Sequence, residues 1–176
     1  DFIIHSIEDA LKKYFDTSIT NEGVNILDPF TGTGTFITRL LQSGVITKED
    51  MFRKYTEELH ANEIVLLSYY IAAINIEETF NMLMETEQYN SFDGIVLTDT
   101  FETTEQEDTL DDTYFGDNDL RVKKQKELPI TVILGNPPYS VGAKDENKSH
   151  KNKKYKKLEL SIEKTYAKYT DSKSKR

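Results

Sequence analysis

The stretch Val24-Asn25-Ile26-Leu27-Asp28-Pro29-Phe30-Thr31-Gly32-Thr33-Gly34-Thr35-Phe36 decides how this chain is built. Val24 to Asp28 is a short apolar run ending on an acid, the pattern of a buried strand. Phe36, Ile37, Leu40 and Leu41 then recur at helical spacing, with Thr35 as N-cap and Gly44 as stop. A strand, a glycine turn and a helix in that order form the ligand-binding corner of a doubly wound sheet. The glycines allow a ligand close to the backbone, and Asp28 can meet a ligand ammonium. A dinucleotide fold would place a third glycine near Ile37, where none stands. No Lys-Ser/Thr pair follows the glycines, so a P-loop is excluded.

A second corner lies a hundred residues on. Ile130-Thr131-Val132-Ile133-Leu134 reads as another buried strand, and Asn136-Pro137-Pro138-Tyr139 ends it. Two prolines prevent the strand from continuing and hold the residues before them in extended geometry. The corner therefore presents an amide, carbonyls with no neighbouring proline N–H, and an aromatic face. Those groups suit a planar ring bearing an exocyclic amine.

Between and around these corners strands and helices alternate. Phe2 to Tyr14 has the apolar period of an amphipathic helix. Lys48–Glu58 is expected to be a helix entered through Thr47, and Leu59–Asn62 a short strand leading to Glu63. Ile64 to Ile76 is apolar nearly all round, which predicts a buried helix with Tyr69 and Tyr70 in the core. Ile95–Thr98 is the third strand. Glu102 to Asp119 is acidic and polar, and reads as a loop, in part disordered. The alternation predicts an α/β fold with a parallel sheet and helices on both faces.

Composition narrows the class. At 176 residues the chain has the size of one domain. It lacks cysteine, so disulfides and thiolate metal sites are excluded, and His5, His60 and His150 show no ligand spacing. No signal peptide or long apolar segment is present, and a reducing bacterial cytoplasm is the natural home. The absence of an initiator methionine suggests a piece of a longer polypeptide. Charge is uneven: residues 1–143 hold 10 Lys+Arg and 26 Asp+Glu, while residues 144–176 hold 12 and 5. An acidic body grips DNA poorly. The basic tail, with Tyr155, Tyr166 and Tyr169 interleaved, could touch phosphates, although a solvated or frayed helical segment is the simpler reading.

Taken together, Asp28-Pro29-Phe30-Thr31-Gly32-Thr33-Gly34-Thr35-Phe36 followed by Asn136-Pro137-Pro138-Tyr139 resembles the γ-class N6-adenine DNA methyltransferases. Leu59-His60-Ala61-Asn62-Glu63-Ile64 and Gly94-Ile95-Val96-Leu97-Thr98-Asp99-Thr100-Phe101 fit the two intervening cofactor motifs. Asp1-Phe2-Ile3-Ile4-His5-Ser6-Ile7 resembles the end of the helix that precedes the cofactor loop. The similarity is greatest to type I-like single-polypeptide (type ISP) restriction–modification enzymes, which join nuclease, helicase, methyltransferase and target-recognition domains. It covers residues 1–143, the N-terminal part of a catalytic domain, and leaves 144–176 as a basic tail.

The resemblance implies a Rossmann-like core with strand order 3-2-1-4, truncated so that strand 4 is an unprotected edge. It implies S-adenosylmethionine as cofactor, with Asp28, Pro29, Thr31, Gly32 and Gly34 around its methionine end. Glu63 would accept both ribose hydroxyls. Asp99 would accept from the adenine amine, with Phe101 or Ile64 packed on the ring. Asn136 and the Pro137 carbonyl would bind the N6 protons of a flipped target adenine, on which Tyr139 would stack beside Pro138. The DNA would be double-stranded and the fragment alone inactive. Two further readings stay open. RNA guanine-N2 and protein-glutamine methyltransferases use similar corners, and a nicotinamide-dependent oxidoreductase would use a similar turn.

Overall fold

The computed structural model describes residues 1–102, 116–138 and 155–169. Four strands form one parallel sheet in the order β3-β2-β1-β4, with β1 Asn25–Asp28, β2 Leu59–Glu63, β3 Ile95–Leu97 and β4 Ile130–Ile133. This is the α/β architecture and the strand order expected from the sequence. Because β1 and β4 are far apart in the chain but adjacent in the sheet, the topology switches direction between them. Ligands of such sheets gather at that point.

Among the described residues six α-helices connect or flank the strands: α1 Phe2–Tyr14, α2 Thr35–Gln42, α3 Lys48–Arg53, α4 Leu66–Met84, α5 Gly116–Glu127 and α6 Lys156–Lys164. Helix α3 passes directly into a π-helical turn, Lys54–Glu58, so the segment expected as one helix is two. Thr47 caps α3 by accepting from the Asp50 amide. The expected cap of α2 is displaced by one residue. Gly34 takes that position at φ 86°, and Thr35 opens the helix. Only glycine fits there comfortably, because a Cβ would also lie 3.2 Å from the Ala72 carbonyl oxygen of α4.

The core gathers Ile4 and Leu11 of α1, Ile26 of β1, Ile37, Leu40 and Leu41 of α2, Leu59, and Ile76 and Phe80 of α4. Tyr55 stacks on Phe80 at 3.8 Å between ring centroids and donates to the Asn90 carbonyl. The expectation that the whole apolar helix is buried needs correction. Helix α4 starts two residues later and runs to Met84, and only one stripe of it (Ala72, Ile76, Phe80) is buried. Leu67, Tyr70 and Ile74 are exposed, and Tyr69 is half-buried, since the core covers one face of a helix that is apolar on all of them.

A buried ion pair fixes the entry to β1. The Lys54 ammonium, wholly buried, donates to the carbonyls of Asn21 and Val24 and pairs with Glu58 at 2.7 Å. Burial pushes its pKa down and Glu58 opposes that fall. Arg53 also binds Glu58, whose own pKa is lowered despite burial by Lys54 and by the Gly23 amide.

The two edges of the sheet differ. Asn118 of α5 clamps β3 with its side-chain amide, accepting from the Leu97 N–H at 2.8 Å and donating to the Leu97 carbonyl at 3.0 Å. Arg121 adds a bond to the Ile95 carbonyl. Helix α5 begins within the segment expected as a loop to Asp119, and residues 103–115 of that segment lie outside the described residues. At the other edge, no described strand pairs with the outer side of β4, where Ile133 is 67 % exposed.

Candidate functional site at the ends of the strands

All four loops expected to carry chemistry leave the C-terminal ends of the strands, so the parallel sheet alone places them side by side. The tightest approach is between Gly135 and Asp28. Leu134 extends the ladder by donating to the Leu27 carbonyl at 3.0 Å, which leaves Gly135 against the end of β1. A Cβ on Gly135 would stand 2.7 Å from Asp28 Oδ1 and 3.3 Å from Pro29 Cδ. The double-proline corner therefore leaves β4 beside the end of β1, from which the glycine turn departs. Asn136, Pro137 and Pro138 follow in exposed, irregular backbone, and Tyr139 lies outside the described residues.

Asp28 is fully buried. Its Oδ1 accepts from the Phe30 amide at 3.2 Å, but Oδ2 is buried without a partner. Burial pushes its pKa up to about 6. The Phe30 amide and the nearby Thr31 hydroxyl oppose that rise, and the charge of Glu63 adds to it. The Thr31 Oγ1 faces the acid without meeting hydrogen-bond geometry, and it too is buried and orphaned, as is Asn62 Oδ1. Buried polar atoms are normally paired, and three of the unpaired ones lie around this turn.

Glu63 is buried at the end of β2 and already engaged. Oε2 accepts from the Gly32 amide at 2.8 Å, and Oε1 from the amides of Ile64 and Val65 at 2.9 and 2.8 Å. A carboxylate offers about four acceptor sites, so one remains for a hydroxyl. The expected grip on two ribose hydroxyls requires one amide bond to be released. In this state Glu63 holds the glycine turn, with the Thr31 amide bound to the Asn62 carbonyl beside it.

Asp99 follows β3. Its Oδ1 accepts from the Phe101 amide at 3.0 Å and its Oδ2 from the Tyr155 hydroxyl at 2.8 Å. Phe101 lies between Phe30 and Tyr155, at 5.2 and 5.6 Å between ring centroids, while Ile64 is exposed beside it in sequence to Glu63. Sequence reasoning did not single out Thr100. Its hydroxyl donates to the Pro29 carbonyl at 2.6 Å and accepts from the Asn62 amide at 3.2 Å, tying three strand ends together. A threonine between Asp99 and Phe101 offers no pattern by which to recognise that. Tyr155, read as part of a solvated tail, turns inward instead.

Other features of the described residues stand apart from these strand ends. A cavity of about 300 Å³ beyond β3, lined by Leu66, Tyr69, Leu97, Asn118 and Arg121, includes none of the glycine-turn residues. Among the described residues no group of His, Asp and Glu could hold a metal ion, and no helix is long and apolar enough to cross a membrane.

Solved structures carry the same fold. The chain is similar to a nuclease-deletion mutant of the Type ISP restriction-modification enzyme LlaGI, solved in complex with a DNA substrate mimic, with 56 % identity and a TM-score of 0.88. It is similar to the ATP-dependent Type ISP restriction-modification enzyme LlaBIII bound to DNA, with 54 % identity and a TM-score of 0.87. A DrdV–DNA complex matches with 40 % identity and a TM-score of 0.84. Each match covers 98 % of this chain but only 15 %, 12 % and 16 % of the respective relative. No curated protein matches it. The profile of the N-6 DNA methylase family matches residues 5–170, spanning both corners and the motifs between them. On that match, and on a 3-2-1-4 sheet that brings the two corners together, this chain belongs to the N-6 DNA methylase family.

Proposed function

We propose that this chain binds S-adenosylmethionine between the ends of β1, β2 and β3 and presents Asn136-Pro137-Pro138-Tyr139 to an adenine of double-stranded DNA, whose N6 the full-length parent methylates. The observation that supports the reading is the approach of Gly135 to Asp28, which brings the loop read as the donor site close to the loop read as the acceptor site. The residues present suit the cofactor. The orphaned Asp28 Oδ2 can receive the methionine ammonium, Glu63 has one acceptor site for a ribose hydroxyl, and Asp99 can receive the adenine amine. Thr31, Pro29, Gly32 and Gly34 shape the turn, and Ile64 and Phe101 supply apolar surface to the ring.

When bound, S-adenosylmethionine supplies an electrophilic methyl group. The chain's own task is to prepare the acceptor. An adenine amine is a weak nucleophile because its lone pair is spread into the ring. The Asn136 side-chain oxygen and the Pro137 carbonyl would accept the two N6 protons and draw the nitrogen toward a tetrahedral shape. Those bonds strengthen as the transition state forms, which is the condition for acceleration. Pro138 fixes the corner, and Tyr139 would stack on a base turned out of the duplex, contributing roughly 1–3 kcal/mol.

By this reading the activity belongs to a longer restriction–modification polypeptide with nuclease, helicase and target-recognition domains. Residues 1–143 form the N-terminal part of its catalytic domain, and the lysine-rich residues 144–176 offset an acidic body near DNA. Calorimetric titration of the chain with S-adenosylmethionine tests the cofactor half. For the catalytic half, Asn136→Ala in the full-length parent should lower tritiated-methyl transfer on the order of 10²–10³-fold, about 3 kcal/mol, with cofactor binding retained. Undiminished transfer would reject the role of Asn136.

A further inference from the structure

We infer that Tyr155 is a positioning residue of the cofactor site, holding the Asp99 carboxylate in the orientation that recognises adenine. This inference rests on the proposed binding of S-adenosylmethionine. Helix α6 is otherwise a surface element. Leu160 and Ile162 are exposed, and so are Tyr166 and Tyr169 beyond it. Tyr155 alone of these tyrosines enters the body of the protein. It occupies the position before the helix, where its carbonyl accepts from the Glu159 amide, so α6 begins at the site and is anchored there.

The consequence for Asp99 is geometric. A carboxylate held by one donor can still swing about its terminal torsion, which is broad. Asp99 is held at both oxygens, Oδ1 by the Phe101 amide and Oδ2 by the Tyr155 hydroxyl 56 residues away in sequence. Two donors, one on each oxygen, fix the plane of the group. The Tyr155 ring lies 5.6 Å from that of Phe101, which lies 5.2 Å from that of Phe30, so the three rings form a continuous apolar wall beside the acid. A fixed acceptor next to an apolar wall selects a flat base with an amine over one with a carbonyl, because the carbonyl would leave two acceptors facing each other.

Tyr155→Phe tests this, since it removes the hydroxyl and keeps the ring. The probes are S-adenosylhomocysteine and S-inosylhomocysteine, which differ in bearing an amine or a carbonyl on the base. Calorimetry with the 176-residue chain should show the variant binding the adenosyl probe about three- to tenfold more weakly, the range of one hydrogen bond, with the inosyl probe unaffected. In an Asp99→Asn background the same change should have no further effect. Unaltered adenosyl binding would overturn the proposal. Tighter adenosyl binding would also overturn it, by showing that Tyr155 occupies the place of the base. If neither wild type nor variant binds either probe, the cofactor reading itself fails.

Discussion

Gly135 stands so close to Asp28 that a single added methyl group would lie 2.7 Å from the Asp28 carboxylate oxygen. Residues more than a hundred positions apart are thus in contact because β4 lies beside β1 in the sheet. The contact sets the distance between the turn that would hold the methyl donor and the corner that would hold the acceptor.

Gly135→Ala should disturb that distance. The new Cβ would meet both Asp28 Oδ1 and Pro29 Cδ, neither of which can retreat far from a buried strand end. A stability loss of about 1–3 kcal/mol is expected from the overpacking. Affinity for S-adenosylmethionine should fall further than stability alone explains. Urea titration and calorimetry measure the two separately, and unchanged affinity would disprove the spacing argument.

Asp28 should make the protein's stability depend on pH in an unusual direction. Its folded pKa, about 6 because of burial, lies above the ordinary aspartate value of 3.8. The folded state therefore binds more protons than the unfolded state between those values. Stability is full below about pH 4 and falls as pH rises through 6, a cost of roughly 3 kcal/mol at neutral pH. Asp28→Asn should flatten this profile and raise the melting temperature at pH 7 by a few degrees. The same substitution should weaken S-adenosylmethionine binding and remove its strengthening between pH 5 and 7. Thermal melts across that range decide the matter, and a wild-type profile rising from pH 4 to 7 at this site would refute the sign.

Lys54→Met should be costly for a different reason. The ammonium satisfies two carbonyls, Asn21 and Val24, and one carboxylate, Glu58, in a wholly buried position. Its removal strips the Val24 carbonyl of its donor and breaks the buried ion pair, although the Asn21 carbonyl keeps the Val24 amide and Glu58 keeps Arg53 and the Gly23 amide. A loss of about 3 kcal/mol in urea-derived stability is expected. A loss below 1 kcal/mol would show the network to be replaceable by packing.

Asn118→Ala should open the outer edge of β3. One amide side chain satisfies both the N–H and the C=O of Leu97. Without it the Leu97 amide should exchange with solvent at least tenfold faster, corresponding to about 1–3 kcal/mol of local opening. Exchange at Leu27, on the opposite side of the sheet centre, should not change.

Much of this arrangement was legible in the chain itself. Asp28 to Gly34 and Asn136 to Pro138 stand out locally, because proline restricts the backbone and glycine permits turns closed to other residues. Helix α1 was legible from its apolar period to the residue. What stayed hidden depends on partners. Helix α4 is apolar on every face, and nothing in its pattern reveals that only the Ala72, Ile76 and Phe80 stripe meets the core. The clamp by Asn118, the brace by Thr100 and the inward turn of Tyr155 are side-chain bonds across 21 to 71 positions. A sequence period cannot encode such pairs. The bond from the Gly32 amide to Glu63 was equally invisible, since it exists only once β2 brings the acid under the glycine turn.

The outer side of β4 leads directly into the residues that would handle the target base. Its backbone groups face away from β1, and Ile133, 67 % exposed, sits only three positions before Asn136. Any segment that paired with this side would lie directly beside the residues that lead into the corner. Pairing at that edge and the geometry of the corner would then be mechanically linked.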